Sequence, residues 1–387
     1  MSNPAEASDK VAKGLEGVVV ATTQLSKVDG IAGRLYYRGY SIDDLAEHAT
    51  FEEVAYLLWF GHLPNRHELA QIRSMMVHHR FTLYSEVIDL LRRIPRQAVP
   101  MSVLRCVVSY LGHYDPDAEN NSLEASIEKA YLLTSQFANT IAAFDRLRKG
   151  LEPIEPRRDL NHAANFLYML TGREPDAVAS RALEIYLILL ADHGFNASTF
   201  AARVTASTLS DMYSAITSAV GTLKGPLHGA ANEGAMEQFM EIGSVANVEA
   251  WFQKAKAEKR RIMGVGHRVY KVFDPRGHHL RHIALQLTET TQDRRWLDIA
   301  LKLEQVVKED PYFNERRLYP NVDYYSAPLL YTLGIAIDLF PTIFAMARIV
   351  GWTAHVMEQW TDNRLIRPKE EYVGPLDLPW VPLEQRP

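Results

Sequence analysis

The stretch SLEASIEKAYLLTSQFANTIAAFDRLRKG, Ser122 to Gly150, decides the fold class. Ser122 stands where a helix N-cap belongs, because its hydroxyl can accept from a first-turn amide. Behind it, Leu123, Ile127, Ala130, Tyr131, Phe137, Ala138 and Ile141 recur at helical spacing and make one apolar stripe. Arg146, Arg148 and Lys149 fall where a helix C-terminus favours cations, and Gly150 is a natural stop. The rest of the chain reads the same way. Thr50 and Glu53 form a capping box ahead of the apolar run Val54–Phe60. Further helices are expected at Arg181–Leu190, Ser198–Thr222, Trp296–Lys308 and Thr342–Trp360. Strand signals are few: Gly17–Ala21 and Leu35–Tyr37 flank a turn containing Asp29-Gly30, which predicts one small hairpin. Strands and helices do not alternate regularly, so a parallel α/β sheet is not expected.

The bulk numbers narrow the class. With 387 residues the chain can hold two or three domains and bury a large core. A hydrophobic content of 47% with 23% charged residues excludes a disordered or fibrous class. A net charge of −5 gives no whole-molecule field for DNA or an anionic membrane, so any anionic ligand must meet a local basic patch. The most apolar stretch, Leu329–Val350, is broken by Asp338, Pro341 and Arg348 and does not read as a membrane span. The N-terminus has no basic start followed by an apolar run, so no signal peptide is expected and the cytoplasm is the default. The single cysteine, Cys106, fits a reducing compartment and reads as a small core residue of the run Met101–Tyr110.

Four segments carry chemistry. Asp192-His193-Gly194-Phe195-Asn196-Ala197-Ser198 is weak alone; its glycine permits an unusual backbone, and Asn196 or Ser198 can cap the next helix. In Gly225-Pro226-Leu227-His228-Gly229-Ala230-Ala231-Asn232-Glu233 a tight turn puts His228 at its tip, ahead of a helix start whose free N–H groups favour an anion or enolate oxygen. A hinge turn with an incidental histidine fits equally. Met263-Gly264-Val265-Gly266-His267-Arg268-Val269-Tyr270-Lys271, followed by Asp274-Pro275-Arg276, matches neither G-x-G-x-x-G nor a P-loop. It lies in a basic island: Lys254, Lys256, Lys259, Arg260, Arg261, Arg268, Lys271, Arg276 and Arg281 face only Glu258 and Asp274 along the sequence, which suggests a polyanionic ligand. Pro320-Asn321-Val322-Asp323-Tyr324-Tyr325-Ser326-Ala327-Pro328 holds one carboxylate among aromatic residues, which suits a general base; read alone, Asp323 is a helix cap. His278, His279 and His282 have no carboxylate or cysteine at zinc-ligand spacing and read as surface residues, so no metal site is expected.

Together these segments, in this order, resemble the citrate synthase family. Gly225–Glu233 looks like its first catalytic-histidine motif, Met263–Lys271 its second, and Pro320–Ser326 its catalytic-aspartate motif. Tyr37-Arg38-Gly39-Tyr40, Ala347-Arg348 … Gly351-Trp352-Thr353-Ala354-His355 and Ile366-Arg367-Pro368 match as well, so the likeness runs from about Gly14 to Pro375. Ala230 departs from the pattern, since many relatives have a second glycine there.

The resemblance implies an all-helical fold with a large domain (1–229 and 335–387), a smaller one inserted in it (230–334), and the site in the cleft between them. It implies condensation of acetyl-CoA with oxaloacetate, the entry step of the tricarboxylic acid cycle, with no metal and no cofactor. Asp323 is then the base, His228 the donor to the thioester oxygen, and His267 the group that polarises and protonates the ketone. His193, Arg276, Arg348 and, from the partner of a homodimer, Arg367 would hold oxaloacetate, and Arg268 and Lys271 would meet CoA. A 2-methylcitrate synthase using propionyl-CoA shares every motif. A non-catalytic acyl-CoA or dicarboxylate binder is disfavoured because both histidines and Asp323 are present. A nucleic-acid binder is disfavoured by the net charge.

Overall fold

The computed structural model describes residues 11–267 and 269–386. Its only sheet among the described residues has three short antiparallel strands, β1 (Ser26–Asp29), β2 (Arg34–Tyr37) and β3 (Tyr40–Ser41). The hairpin exists, but its first strand is not Gly17–Ala21. Asp29 accepts from the amides of Ile31 (3.2 Å) and Ala32 (2.8 Å) and closes the turn at once. The register therefore starts at Asp29 opposite Arg34, and Leu35–Tyr37 pairs with Ser26–Val28. Gly17–Ala21 is left without a strand partner.

Seventeen α-helices follow among the described residues. The first five are α1 (Ile42–His48), α2 (Phe51–Phe60), α3 (Arg66–Phe81), α4 (Tyr84–Arg93) and α5 (Pro100–Leu111). The Thr50/Glu53 capping box opens α2, and Gly61 ends it in the left-handed conformation. Cys106 sits on the exposed face of α5, not in the core, because Val103, Leu104, Val107 and Val108 take the inward positions of those turns.

Helix α6 (Leu123–Arg148) begins at the Ser122 cap and is buried almost all round, not along a single stripe. Its buried polar residues spend their donors on carbonyls of neighbouring segments. Ser135 donates to Met76, Gln136 to His79 and Thr82, and Asn139 to Arg80. These bonds offset the cost of placing such groups in the core.

Next along the chain come α7 (His162–Thr171), which packs on α6, and then α8 (Ala177–Leu190), α9 (Ala197–Ser207) and α10 (Met212–Leu223). The expected single helix Ser198–Thr222 is two. Leu209 takes a left-handed backbone (φ 63°), and Asp211 accepts from Ser214 N–H to cap α10. Asn196, not Ser198, caps α9.

The remaining helices are α11 (Ala231–Ile242), α12 (Val248–Ala257), α13 (Pro275–Thr291), α14 (Arg295–Glu309), α15 (Pro311–Glu315), α16 (Val322–Thr332) and α17 (Phe340–Thr361). Ala230 precedes α11 at φ −99°, a conformation alanine adopts freely, so the added methyl strains nothing. The last helix meets the test of length and apolarity for a membrane span, yet 89% of that window is buried within the fold. It packs on α6, α8, α9 and α10 as a core helix, while α13 lies against α8 and α16.

Candidate active site

The end of α8 delivers Asp192 and His193 to a buried cluster of side chains from the first turns of α9, α13 and α16 and from α17. Tyr37 of β2 ties the segment down: its hydroxyl is 2.9 Å from the Asp192 carbonyl and 3.1 Å from that of Leu189. Asp192 is fully buried; burial opposes its charge, but His355, Arg348 and Ser26 outweigh it and hold the carboxyl below its usual range.

His228 rides on the turn Gly225–His228, closed by its own N–H to the Gly225 carbonyl (2.9 Å). Its Nε2 faces the N–H of Ser198 at 3.2 Å and the hydroxyl of Ser198 at 2.8 Å. The indole N–H of Trp352 donates to that same hydroxyl (3.1 Å). An Nε2 that accepts from a backbone amide has no proton, so the proton of neutral His228 is on Nδ1.

His267 has the opposite tautomer. Its Nδ1 accepts from the N–H groups of Val269 (3.0 Å) and Tyr270 (3.1 Å), so Nε2 carries the proton. Both rings are neutral near pH 7. Burial first, and then Arg348, push His228 down to about 4; burial and then Arg276 do the same to His267. His193 is also held well below its usual value, by burial and then by Arg276 and His267. Its ring lies 5.5 Å from that of His267, with Nε2 3.1 Å from the Tyr270 hydroxyl.

The two glycines before His267 serve geometry, not phosphate. Gly264 has φ +74°, and a Cβ there would come within 2.8 Å of the Tyr324 backbone. The close approach lets Gly264 and Gly266 join the segment before Asp323. Asn321 N–H donates to the Gly264 carbonyl (2.9 Å), Asn321 Nδ2 to the Gly266 carbonyl (2.7 Å), and Gly266 N–H to the Tyr319 carbonyl (2.7 Å). Asn321 also caps α16 through Asp323 N–H, so Asp323 is not the cap and its carboxyl is left for other work. Burial raises that carboxyl to about 6, against the opposing pull of Arg276.

Two buried arginines set the field. Arg276 is paired bidentately with Asp274 (2.9 and 2.7 Å), and Asp274 also accepts from Val322 N–H, tying α13 to α16. Arg348 donates to the Leu190 carbonyl (2.7 Å) and lies 4.8 Å from the Phe344 ring centroid. Arg276 acts electrostatically on His193, His267 and Asp323; Arg348 acts on His193, His228 and Asp323. Six of the residues singled out in the sequence thus converge. Arg367 does not join them within one chain: it is exposed, and its guanidinium donates to the Pro368 carbonyl. Arg268 lies outside the described residues, and Lys271 is exposed.

The basic island is less bare than its sequence suggests. Lys256 meets Asp310, Arg260 meets Glu241 and Arg281 approaches Glu304, all carboxylates distant along the chain. The histidine group also needs correction, since Asp43 of α1 reaches His278 and His279.

Residues with no role in the site assigned from the sequence complete it. Ser198 and Trp352 orient His228. Gly30, at the hairpin tip, accepts from Lys271 N–H (2.9 Å) and has no room for a Cβ, which would fall 2.2 Å from the Val269 carbonyl oxygen. Tyr186 of α8, fully buried, feels the charge of Asp323. Only the Asp29-Gly30 turn carried a local signal.

A helical scaffold with a buried acid of raised affinity for protons, two neutral imidazoles of opposite tautomer and two fixed guanidiniums defines an acid–base enzyme. Comparison with known proteins gives the family. Residues 14–369 match the model of the citrate synthase C-terminal domain. The chain is 46% identical to citrate synthase 2 of Bacillus subtilis, covering 97% of this chain and 99% of that one. It is 44% identical to a 2-methylcitrate synthase of Mycobacterium tuberculosis, covering 94% and 91%. Its fold matches that of Thermoplasma acidophilum citrate synthase, solved with carboxymethyl coenzyme A and oxaloacetate, with TM-score 0.91 at 34% identity over 97% of this chain and all of that one. The chain belongs to the citrate synthase family and is an acyltransferase.

Proposed function

We propose that this protein condenses the acetyl group of acetyl-CoA with oxaloacetate and hydrolyses the resulting thioester, giving citrate and CoA. The observation that carries the reading is the pairing of protonation states: a carboxyl raised to about 6 beside two imidazoles pinned in opposite tautomers. Asp323 removes a proton from the methyl carbon. His228 Nδ1–H donates to the thioester oxygen as it becomes an enol, an interaction worth roughly 3–4 kcal/mol where charge develops. The enol carbon then attacks the ketone carbon of oxaloacetate, and His267 Nε2–H delivers a proton to the ketone oxygen. One proton leaves carbon and one arrives on oxygen, so condensation is proton-neutral. Water then cleaves citryl-CoA. These steps are proton transfers that side chains perform, and on this reading no metal or cofactor is needed.

Oxaloacetate carries two carboxylates; on this reading Arg276 and Arg348 would receive them through planar guanidinium forks, with His193 as a further ligand. Arg367 would reach a neighbouring site from the partner of a homodimer. An exposed C-terminal segment with Tyr372, Val373, Leu376, Leu378 and Trp380 offers apolar surface for that association. CoA phosphates would meet Arg268 and Lys271. Helices α11 to α16 pack chiefly on one another, which supports residues 230–334 as an inserted domain whose closure shields the enol. The single cysteine favours a cytoplasmic setting.

A second reading, 2-methylcitrate synthesis from propionyl-CoA, is favoured by the Mycobacterium relative. One methylene is worth only about 1–3 kcal/mol in a pocket, so the shared machinery serves either. The test is thiol release from acetyl-CoA and propionyl-CoA with oxaloacetate present. Preference for acetyl-CoA is expected; preference for propionyl-CoA would move the assignment, and release from neither would sink it. Mixed dimers of Arg367→Ala with Asp323→Asn should recover one good site, whereas no recovery would argue against a shared one.

A further inference from the structure

Helix α13 starts inside the site at Arg276, but its next turns face outward and carry His278, His279 and His282. Asp43 of α1 approaches them. Its Oδ1 lies 2.7 Å from His279 Nε2 and 3.6 Å from His278 Nε2. The three ligand atoms all fall within 4.8 Å of one another. The two rings lie 3.8 Å apart between centroids, and both Nε2 atoms approach the same Asp43 oxygen. His282, one turn on from His278, stands apart from this group, with its Nε2 3.3 Å from Gln286 Nε2.

We infer that Asp43, His278 and His279 form an accessory site for a divalent transition cation of the zinc class, one that fastens α1 to the start of α13. Metal–nitrogen and metal–oxygen bonds of about 2.0–2.2 Å put neighbouring tetrahedral ligands roughly 3.3 Å apart. The observed separations straddle that spacing, so closure needs only side-chain rotation. The donor set names the ion. Imidazoles suit zinc, cobalt or nickel, while calcium and magnesium demand several oxygens. Charge gives little help, because one carboxylate faces the site and Arg34 acts on that same carboxylate. Selectivity therefore rests on nitrogen lone pairs. The site is apart from catalysis: none of the three residues has a role in the condensation, and the inference holds whichever acyl-CoA is used.

The site can be tested on the tag-free full-length protein with Co2+ as probe, read by its visible absorption, and with Zn2+ in competition. The chain has 14 histidines, so stoichiometry alone decides nothing. Wild type should show one competed band per chain, and Asp43→Ala, His278→Gln and His279→Gln should each weaken it by about tenfold or more. Zn2+ should raise the thermal midpoint of wild type and leave that of the Asp43→Ala/His279→Gln double variant unmoved. His78→Gln, in the chain's other adjacent histidine pair, should change nothing. All substituted side chains are at the surface or its edge, and unchanged helical circular dichroism verifies folding. A band that survives the double variant, or is lost in His78→Gln, would overturn the assignment.

Discussion

His228 and His267 are held in opposite ways. His228 is oriented from outside its own segment, by Ser198 at the start of α9 and through it by Trp352 of α17. Both supports belong to the buried core, so this ring is fixed as firmly as the helices that bear them. His267 orients itself, through the amides two and three residues further along. Such a loop needs fixing in turn, and it is gripped on one side by Asn321 and on the other by the hairpin tip at Gly30. Side-chain bonds to a core make a residue robust but dependent on distant partners. Backbone bonds within a loop make it self-sufficient in tautomer but only as still as its neighbours.

The largest effect is expected where both histidines depend on a third group. Asp323→Asn should cut turnover by about 10²–10⁴-fold while oxaloacetate still binds; near-normal turnover would remove Asp323 as base. The acid limb of kcat/KM should fall near pH 6, not near 4, since the imidazoles are already neutral there. An acid limb near 4 would assign it elsewhere. The same substitution should stabilise the protein. The folded carboxyl, at about 6, holds its proton more tightly than an unfolded one at about 4, so folding stability falls as pH rises through that window. Asparagine removes that loss. At neutral pH the gain should be about 1–3 kcal/mol, because the side chain keeps some exposure, and it should vanish below about pH 4. A lower melting temperature at pH 7 would contradict this.

Next should come Gly30→Ala, which forces the hairpin tip off Val269. The position is half-buried at a hairpin tip outside the core, so turnover should drop about tenfold while the thermal midpoint moves little, the loss expected when a catalytic group is misplaced by a fraction of an ångström. A change in midpoint with intact turnover would mean the contact serves stability alone. The smallest effect should be that of Ser198→Ala. The backbone amide still holds His228 Nε2, so turnover should fall only severalfold. The buried indole N–H of Trp352 loses its partner, which costs about 1–3 kcal/mol of stability. If Ser198→Ala proved worse for turnover than Gly30→Ala, the contrast drawn here between the two rings would be reversed.

The parts legible in the sequence are those whose signal is local. The Thr50/Glu53 box, the Ser122 cap and the apolar spacing behind it gave the helices, because caps and periodicity act over a few residues. The histidine and aspartate motifs were legible through resemblance, and the six that form a cluster in one chain were among them. What failed depended on distance. The register of the hairpin turned on where Asp29 closed its turn. The break at Leu209 carries no proline or glycine. Cys106 is on the outer face of its helix, a matter of one residue in phase. The basic island met its carboxylates only after folding, as His278 and His279 met Asp43. No single sequence shows that positions 198, 228 and 352 meet.

The backbone bonds between Gly264–Gly266 and Tyr319–Asn321 make two distant stretches of sequence a single solid part. His267 and Asp323 are therefore held in register with each other by hydrogen bonds between their own segments. For anyone shuffling segments among relatives, the consequence is a rule of inheritance. A crossover between 267 and 319 takes the two halves of one part from different parents, whereas moving 264–323 as a block carries His267 and Asp323 across as a matched pair.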